Sequence, residues 1–100
     1  MFKAMILLTR REDLSREAFV RWWLEEHRPR ALALPKVRRM VINLVDEGPE
    51  EGGIDGVSEL WFDTREDFLA AYATDHGKAV AADTMAHVTS RVRYFVTEHE

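Results

Sequence analysis

One hundred residues, 46% of them hydrophobic and 32% charged, suffice for a single hydrophobic core and are far from the polar, aromatic-poor composition of a disordered chain. A net charge of -4 supplies no basic footprint for phosphate backbones, so nucleic acid is not an expected partner. The absence of cysteine excludes a disulfide framework, a thiolate nucleophile and a thiolate metal site. The longest apolar stretches, such as Ala4 to Leu8, are far too short to span a membrane and no signal-peptide pattern opens the chain, so the expectation is a cytoplasmic protein.

Phe2 to Thr9 is apolar at nearly every position and ends in Arg10-Arg11-Glu12-Asp13, which predicts a strand followed by a polar turn. Ser15 stands where an N-cap belongs; Phe19, Trp22, Trp23, Glu26 and His27 follow at helical spacings, and Pro29 is expected to stop the helix, giving a range of 16–28. Val37 to Val45 is rich in β-branched residues between Pro35 and Asp46-Glu47-Gly48-Pro49, the pattern of a second strand, and the acidic, glycine-rich Glu47 to Gly56 is expected to be a mobile loop. Val57 to Asp63 alternates as a third strand. Thr64 then caps a helix with Phe68, Ala71 and Tyr72 on its apolar stripe, which Asp75-His76-Gly77 is expected to break before Lys78 to Met85 resumes it. Arg91 to Thr97 closes the domain as strand four.

The order β-α-β-β-α-β is the ferredoxin-like split motif of an α+β domain, a four-stranded antiparallel sheet with both helices on one face. Because strands one and two carry apolar residues on both sides, the second face of the sheet needs a cover. An identical subunit packed sheet to sheet, a homodimer, is the expected one. A monomer with a half-wet sheet is the alternative.

Phe19, Trp22 or Trp23, His27-Arg28-Pro29, Leu34-Pro35-Lys36-Val37-Arg38-Arg39 and Asn43 together resemble the opening half of EthD-domain proteins. Asp55 to Asp63 resembles that family's third-strand signature, and Asp83 falls where its second helix carries an acid. The resemblance implies the dimeric α+β barrel fold, shared with antibiotic-biosynthesis monooxygenases, muconolactone-type isomerases and some polyketide dehydratases or cyclases. It implies no single reaction. Two positions depart from the pattern: Met40 stands where an aromatic residue is typical, and His87 near where the family places phenylalanine.

His27 is the leading candidate for chemistry, because imidazole exchanges a proton near neutrality; a histidine in a last helical turn is also favoured by the helix dipole alone. Phe19, Trp23 and His27 are each four apart, so a regular helix turns His27 inward with its aromatic neighbours. Asp83 and His87 are likewise four apart and form either an oriented acid–imidazole dyad or an ordinary helix pair. Asn43 interrupts an apolar strand, so its amide either points into a polar pocket or bonds neighbouring backbone. Trp23, Trp61, Phe19, Phe68 and Tyr72, with His87, are candidates to wall a ligand pocket, though such residues also build plain core.

No metal-ligand spacing, glycine-rich phosphate loop or nucleophile elbow is present, so neither metal nor cofactor is expected. Two functions remain. One is cofactor-independent isomerase, dehydratase or oxygenase chemistry on a small hydrophobic molecule, with His27 moving a proton and Asn43 or Asp83 orienting it. The other is a non-catalytic binding or accessory protein serving a partner oxidoreductase in the degradation of an organic compound. A bare dimerisation module, without an enclosed cavity, is a third reading.

Overall fold

Alternation of side chains along each strand decides which residues meet the helices. In the computed structural model, which describes residues 1–100, four strands pair antiparallel in the order β2-β3-β1-β4: β1 (Phe2–Arg10), β2 (Arg39–Leu44), β3 (Gly56–Phe62) and β4 (Val88–Val96). The central pairs are Ala4 with Leu60 and Ile6 with Ser58 on one side of β1, and Ala4 with Phe95 and Ile6 with Arg93 on the other. Successive residues point to opposite faces, so Ala4, Ile6, Leu8, Ser58, Leu60 and Phe62 share the helix-covered face and are buried. The fold is therefore α+β and ferredoxin-like, as the element order predicts.

The first helix is longer than its sequence suggests. It runs as α1 (Arg16–Arg21), a π-helical segment (Trp22–His27) and α2 (Arg28–Leu32), with Ser15 accepting from the Ala18 amide as N-cap. Pro29 does not end it. That residue lies in the first turn of α2, where a missing N–H is tolerated, and the wider turn before it absorbs the change of register. The segment's last bond runs from the Arg28 N–H to the Trp23 carbonyl, five residues back.

The second helical region splits at Thr74 rather than at Asp75-His76-Gly77. Its parts are α3 (Arg65–Ala73), capped by Thr64, and α4 (Asp75–Met85), capped by Thr74. Thr74 is extended, at ψ 162°, and its hydroxyl accepts from the Gly77 amide at 3.0 Å and donates to the Ala71 carbonyl at 2.7 Å. Strand β2 begins two residues later than expected, at Arg39, after Lys36 takes a left-handed φ of 64°. Strand β4 begins three residues earlier than expected, at Val88.

Phe19, Trp22, Trp23, Phe68, Ala71 and Val80 from the helices, and Leu34 from the turn after α2, join the buried strand residues in one core cluster. Gly56 is required there: a side chain would meet the Asn43 carbonyl at 2.7 Å and the Trp23 ring at 2.8 Å, so the missing Cβ lets the indole lie against β3. No helix is long and apolar enough to cross a membrane.

The loop between β2 and β3 is pinned at its far end. Asp55 donates its amide to the Leu8 carbonyl at 2.8 Å, its carbonyl accepts from Val45 at 3.0 Å, and its carboxylate accepts from the Arg10 amide at 2.8 Å. Residues 47–53 have no such ties. Amide hydrogen exchange should therefore be fastest at residues 47–53 and slow at Asp55; protection of the whole stretch at the level of β1 would contradict this.

The uncovered face of the sheet is more polar than the sequence suggests. Lys3 pairs with Glu59 at 2.6 Å, Asn43 donates to Glu59 at 2.9 Å, and Trp61 donates its indole N–H to Glu98 at 3.0 Å. Beside this network lies an apolar strip that includes Met5, Leu7, Val57, Val92 and Tyr94, the last two 40% and 55% exposed.

Candidate functional site

The π-helical segment brings together side chains that a regular helix would separate. Trp22 and His27 are five residues apart, which in an α-helix places them on different faces, yet their rings are 4.9 Å apart between centroids. Trp23 remains under the sheet and Phe19 tilts against both indoles, at 5.5 and 5.4 Å. His27 thus turns inward and is only 5% exposed.

The imidazole is held at both nitrogens. Nδ1 lies 2.9 Å from Asp83 Oδ2, and Nε2 lies 3.3 Å from the Thr84 hydroxyl. A carboxylate can only accept, so Nδ1 carries the proton and Nε2 presents its lone pair beside Thr84. Asp83 also accepts from the Trp22 indole N–H, at 3.2 Å to each oxygen, and pairs with Arg30 at 3.1 Å. Asp83 therefore ties α4 to three positions on the first helix.

Burial pushes the His27 pKa down, against the hydrogen bond and charge of Asp83, and the neighbouring Arg30 and His87 push the same way as burial. Burial acting alone would raise Asp83, but hydrogen bonds from His27 and Trp22 and the charges of His27 and Arg30 outweigh it and hold the carboxyl below its ordinary range. Near neutrality the pair is a neutral imidazole beside an ionised carboxylate. A consequence for stability follows from the lowered value of His27. The unfolded chain takes up the proton first as pH falls below about 6.5, so stability falls with pH in the window between that value and the lower folded-state value. Urea unfolding at pH 7 and pH 5.5 should show this loss in the native chain. The loss should shrink in His27→Gln.

A pocket opens beside Nε2, between the first helix, α3, α4 and the sheet. Trp23, His27, Ser58, Phe68, Tyr72 and Thr84 are among its walls, and Met40, Arg91 and Arg93 border it. Its enclosed interior is about 20 Å³, room for about one water molecule, and it widens to about 430 Å³ with its open mouth counted. Burial pushes the Tyr72 phenol up to about 12, so it stays protonated and can donate.

Not every residue expected at the site is there. Asn43 and Trp61 project from the opposite face, because Asn43 pairs with Val57 and Trp61 with Lys3 and Arg39 on the uncovered side. Asn43 bonds the Val57 carbonyl and Glu59, so neither residue reaches His27. Phe19 is core beneath the tryptophans rather than pocket wall. His87 stacks on Trp22 at 4.1 Å and 13°, and its Nδ1 donates to the Asp83 backbone carbonyl at 2.7 Å; the Asp83 carboxylate lies 3.7 Å from that nitrogen but makes its hydrogen bond to His27, at 2.9 Å. Thr84, Ser58, Arg91 and Arg93 were not singled out by spacing. Only the alternation of β4 marks the arginines, and it does not say which face is inward.

No three His, Asp or Glu side chains converge in a metal-binding arrangement. Among solved structures, the chain is similar to an EthD family protein from Bacillus halodurans, with a TM-score of 0.83 and 24% identity over 99% of this chain and 100% of that one. A dimeric ferredoxin-like protein of unknown function from Thermobifida fusca superposes with a TM-score of 0.76 at 15% identity, over 97% and 90% of the two chains. SnoaB, a cofactor-independent oxygenase from Streptomyces nogalater, superposes with 0.69 at 12% identity, over 99% and 93%. At these identities the likeness is one of fold. No curated protein matches the chain. The sequence pattern of the EthD domain matches residues 11–91, strands β2 and β3 and the whole His27–Asp83 pair included, and the chain belongs to the EthD family.

Proposed function

We propose that the chain binds a small hydrophobic organic molecule between helices and sheet and moves a proton on it, with His27 Nε2 as base and no metal or nucleotide cofactor. The observation that carries this reading is the buried imidazole whose Nδ1–H is held 2.9 Å from Asp83 while Nε2 faces the pocket beside Thr84. Nε2 takes a proton from an acidic C–H or O–H of the bound molecule, leaving an enolate or phenolate and an imidazolium whose charge Asp83 offsets. Returning that proton elsewhere gives an isomerisation, and returning it to a departing hydroxyl gives a dehydration. The same deprotonation is a first step available to an oxygenase, the activity named for SnoaB.

One observation favours the alternative, a binding or accessory protein for a partner oxidoreductase. Asp83 already accepts from Trp22, His27 and Arg30, which makes it a clasp between helices whether or not a proton moves. Mass spectrometry of the small molecule that co-purifies with the chain, followed by its incubation with native protein and His27→Asn, separates the two. Conversion by the native chain alone supports the enzyme. Release of the molecule unchanged by both supports the accessory protein.

A homodimer is part of this proposal. The apolar strip of Met5, Leu7, Val57, Val92 and Tyr94 is suited to a second copy, and similar folds from other organisms are described as dimeric. Sedimentation at micromolar concentration should show a species of twice 11.6 kDa; a lone 11.6 kDa species would count against the dimer.

A further inference from the structure

The pocket holds positive charge that its chemistry so far leaves unused. Arg91 and Arg93 pair with Leu8 and Ile6, the buried positions of β1, so both project from β4 to the helix-covered face. Both border the pocket, and none of the residues lining it is an aspartate or glutamate. Lys3, Arg10, Arg11, Arg16, Arg30, Lys36 and Arg38 each have a carboxylate within 4.0 Å; Arg91 and Arg93 have none. Of the cations without such a partner, these are the two at this pocket.

Arg93 is also held in place. Its guanidinium carbon lies 5.3 Å from the centre of the Phe68 ring and 5.2 Å from that of Phe95, so two aromatic rings hold the cation without supplying it a hydrogen-bond acceptor. Residues two apart on one strand stand roughly 7 Å from each other, so two forked donors can converge on one anion between them. The same pocket is lined by Tyr72, Phe68 and Met40 and by the buried His27.

We propose that Arg91 and Arg93 form an anion subsite at the mouth of the pocket, and that the molecule bound there is a small organic carboxylate with an apolar body lying toward His27. This rests on the reading of the pocket as the place where His27 acts, and it adds the class of molecule. The carboxylate pairs with the arginines, and the carbon skeleton occupies the wider, open part of the pocket on the side of His27.

The test uses the full chain with sodium benzoate and its neutral counterpart benzamide, titrated at low ionic strength near neutral pH and followed by calorimetry and by the histidine ring signals in NMR spectra. Benzoate should bind more tightly than benzamide by roughly tenfold to a hundredfold, the range of charge-assisted hydrogen bonds. Added salt should shrink that preference, because the arginines are solvent-exposed. Arg91→Gln/Arg93→Gln should abolish the preference, so that the two probes bind alike, whereas Arg93→Lys should keep part of it. Equal affinity of the two probes, or a benzoate preference that survives the double substitution, overturns the subsite. If benzamide still perturbs His27 in that case, the acid–base pocket stands without it. Failure of both probes to perturb His27 overturns both readings. A benzoate preference together with turnover unaffected by His27→Asn keeps the subsite and removes the base.

Discussion

Replacing His27 with asparagine should lower turnover of the co-purified molecule by roughly a hundredfold to ten-thousandfold, the usual contribution of a positioned general base. The size of the loss follows from geometry. Nε2 is the one unprotonated nitrogen at the pocket floor, Ser58 and Thr84 offer hydroxyls of far higher pKa, and Tyr72 is pushed up to about 12. Asp83→Asn should fall between the native chain and His27→Asn. It removes the carboxylate that fixes the Nδ1–H tautomer and offsets the imidazolium, while Nε2 itself remains. The acid limb of kcat/KM should lie below about 6.5 in the native chain, because burial favours the neutral base. Turnover by His27→Asn within twofold of native would remove the base from the account. The imidazole is also packed against Trp22 and bonded at both nitrogens, so an alanine there costs more stability than an exposed histidine would, and asparagine or glutamine is the cleaner replacement.

The largest effect on stability is expected at Gly77. Intrinsic propensity says that Gly77→Ala should stabilise α4 by about 1 kcal/mol. Packing says the reverse. A Cβ there would run into the Ala71 carbonyl oxygen and sit 2.5 Å from Tyr72 Cα, both of them backbone, so no side chain can swing away. Relief requires α3 to move from α4, breaking the paired bonds of Thr74 to the Ala71 carbonyl and Gly77 amide. The expected loss is about 3 kcal/mol or more. Since Tyr72 lies in the last turn of α3 while Thr84 and Asp83 lie on α4, the same shift should weaken ligand binding. Urea unfolding of Gly77→Ala checks this, and a midpoint at or above the native one would show that propensity wins and that the joint is looser than its contacts imply.

Most of the fold was legible because it is local. Strands show as alternation, and the caps Ser15 and Thr64 mark their helices through bonds within three residues. What stayed hidden is what distant segments impose. Pro29 reads as a stop, whereas it follows a π-helical turn and sits in the first turn of α2, so the helix continues to Leu32. Gly77 reads as a breaker, whereas it is a contact point inside α4. The inward turn of His27 was legible from its spacing with Phe19 and Trp23. Its partner was not settled. Asp83 is four residues from His87 and 56 from His27, and spacing alone cannot say that the carboxylate would choose the distant imidazole. Asn43 and Trp61 failed to reach the pocket for a simpler reason: alternation fixes that they oppose Met40 and Leu60, but not which set faces the helices until the pairing with Ala4 is known.

The central claim is a neutral, buried His27 with its proton on Nδ1 against Asp83 and an unprotonated Nε2 at the pocket beside Thr84. A pH titration of the ¹⁵N-labelled histidine rings by NMR tests it most directly. The account predicts that one of the four histidines holds the Nδ1–H tautomer through neutral pH and titrates below about 6.5, and that this signal is lost in His27→Gln. A His27 ring that carries its proton on Nε2, or that titrates at or above the value of an exposed histidine, would contradict it.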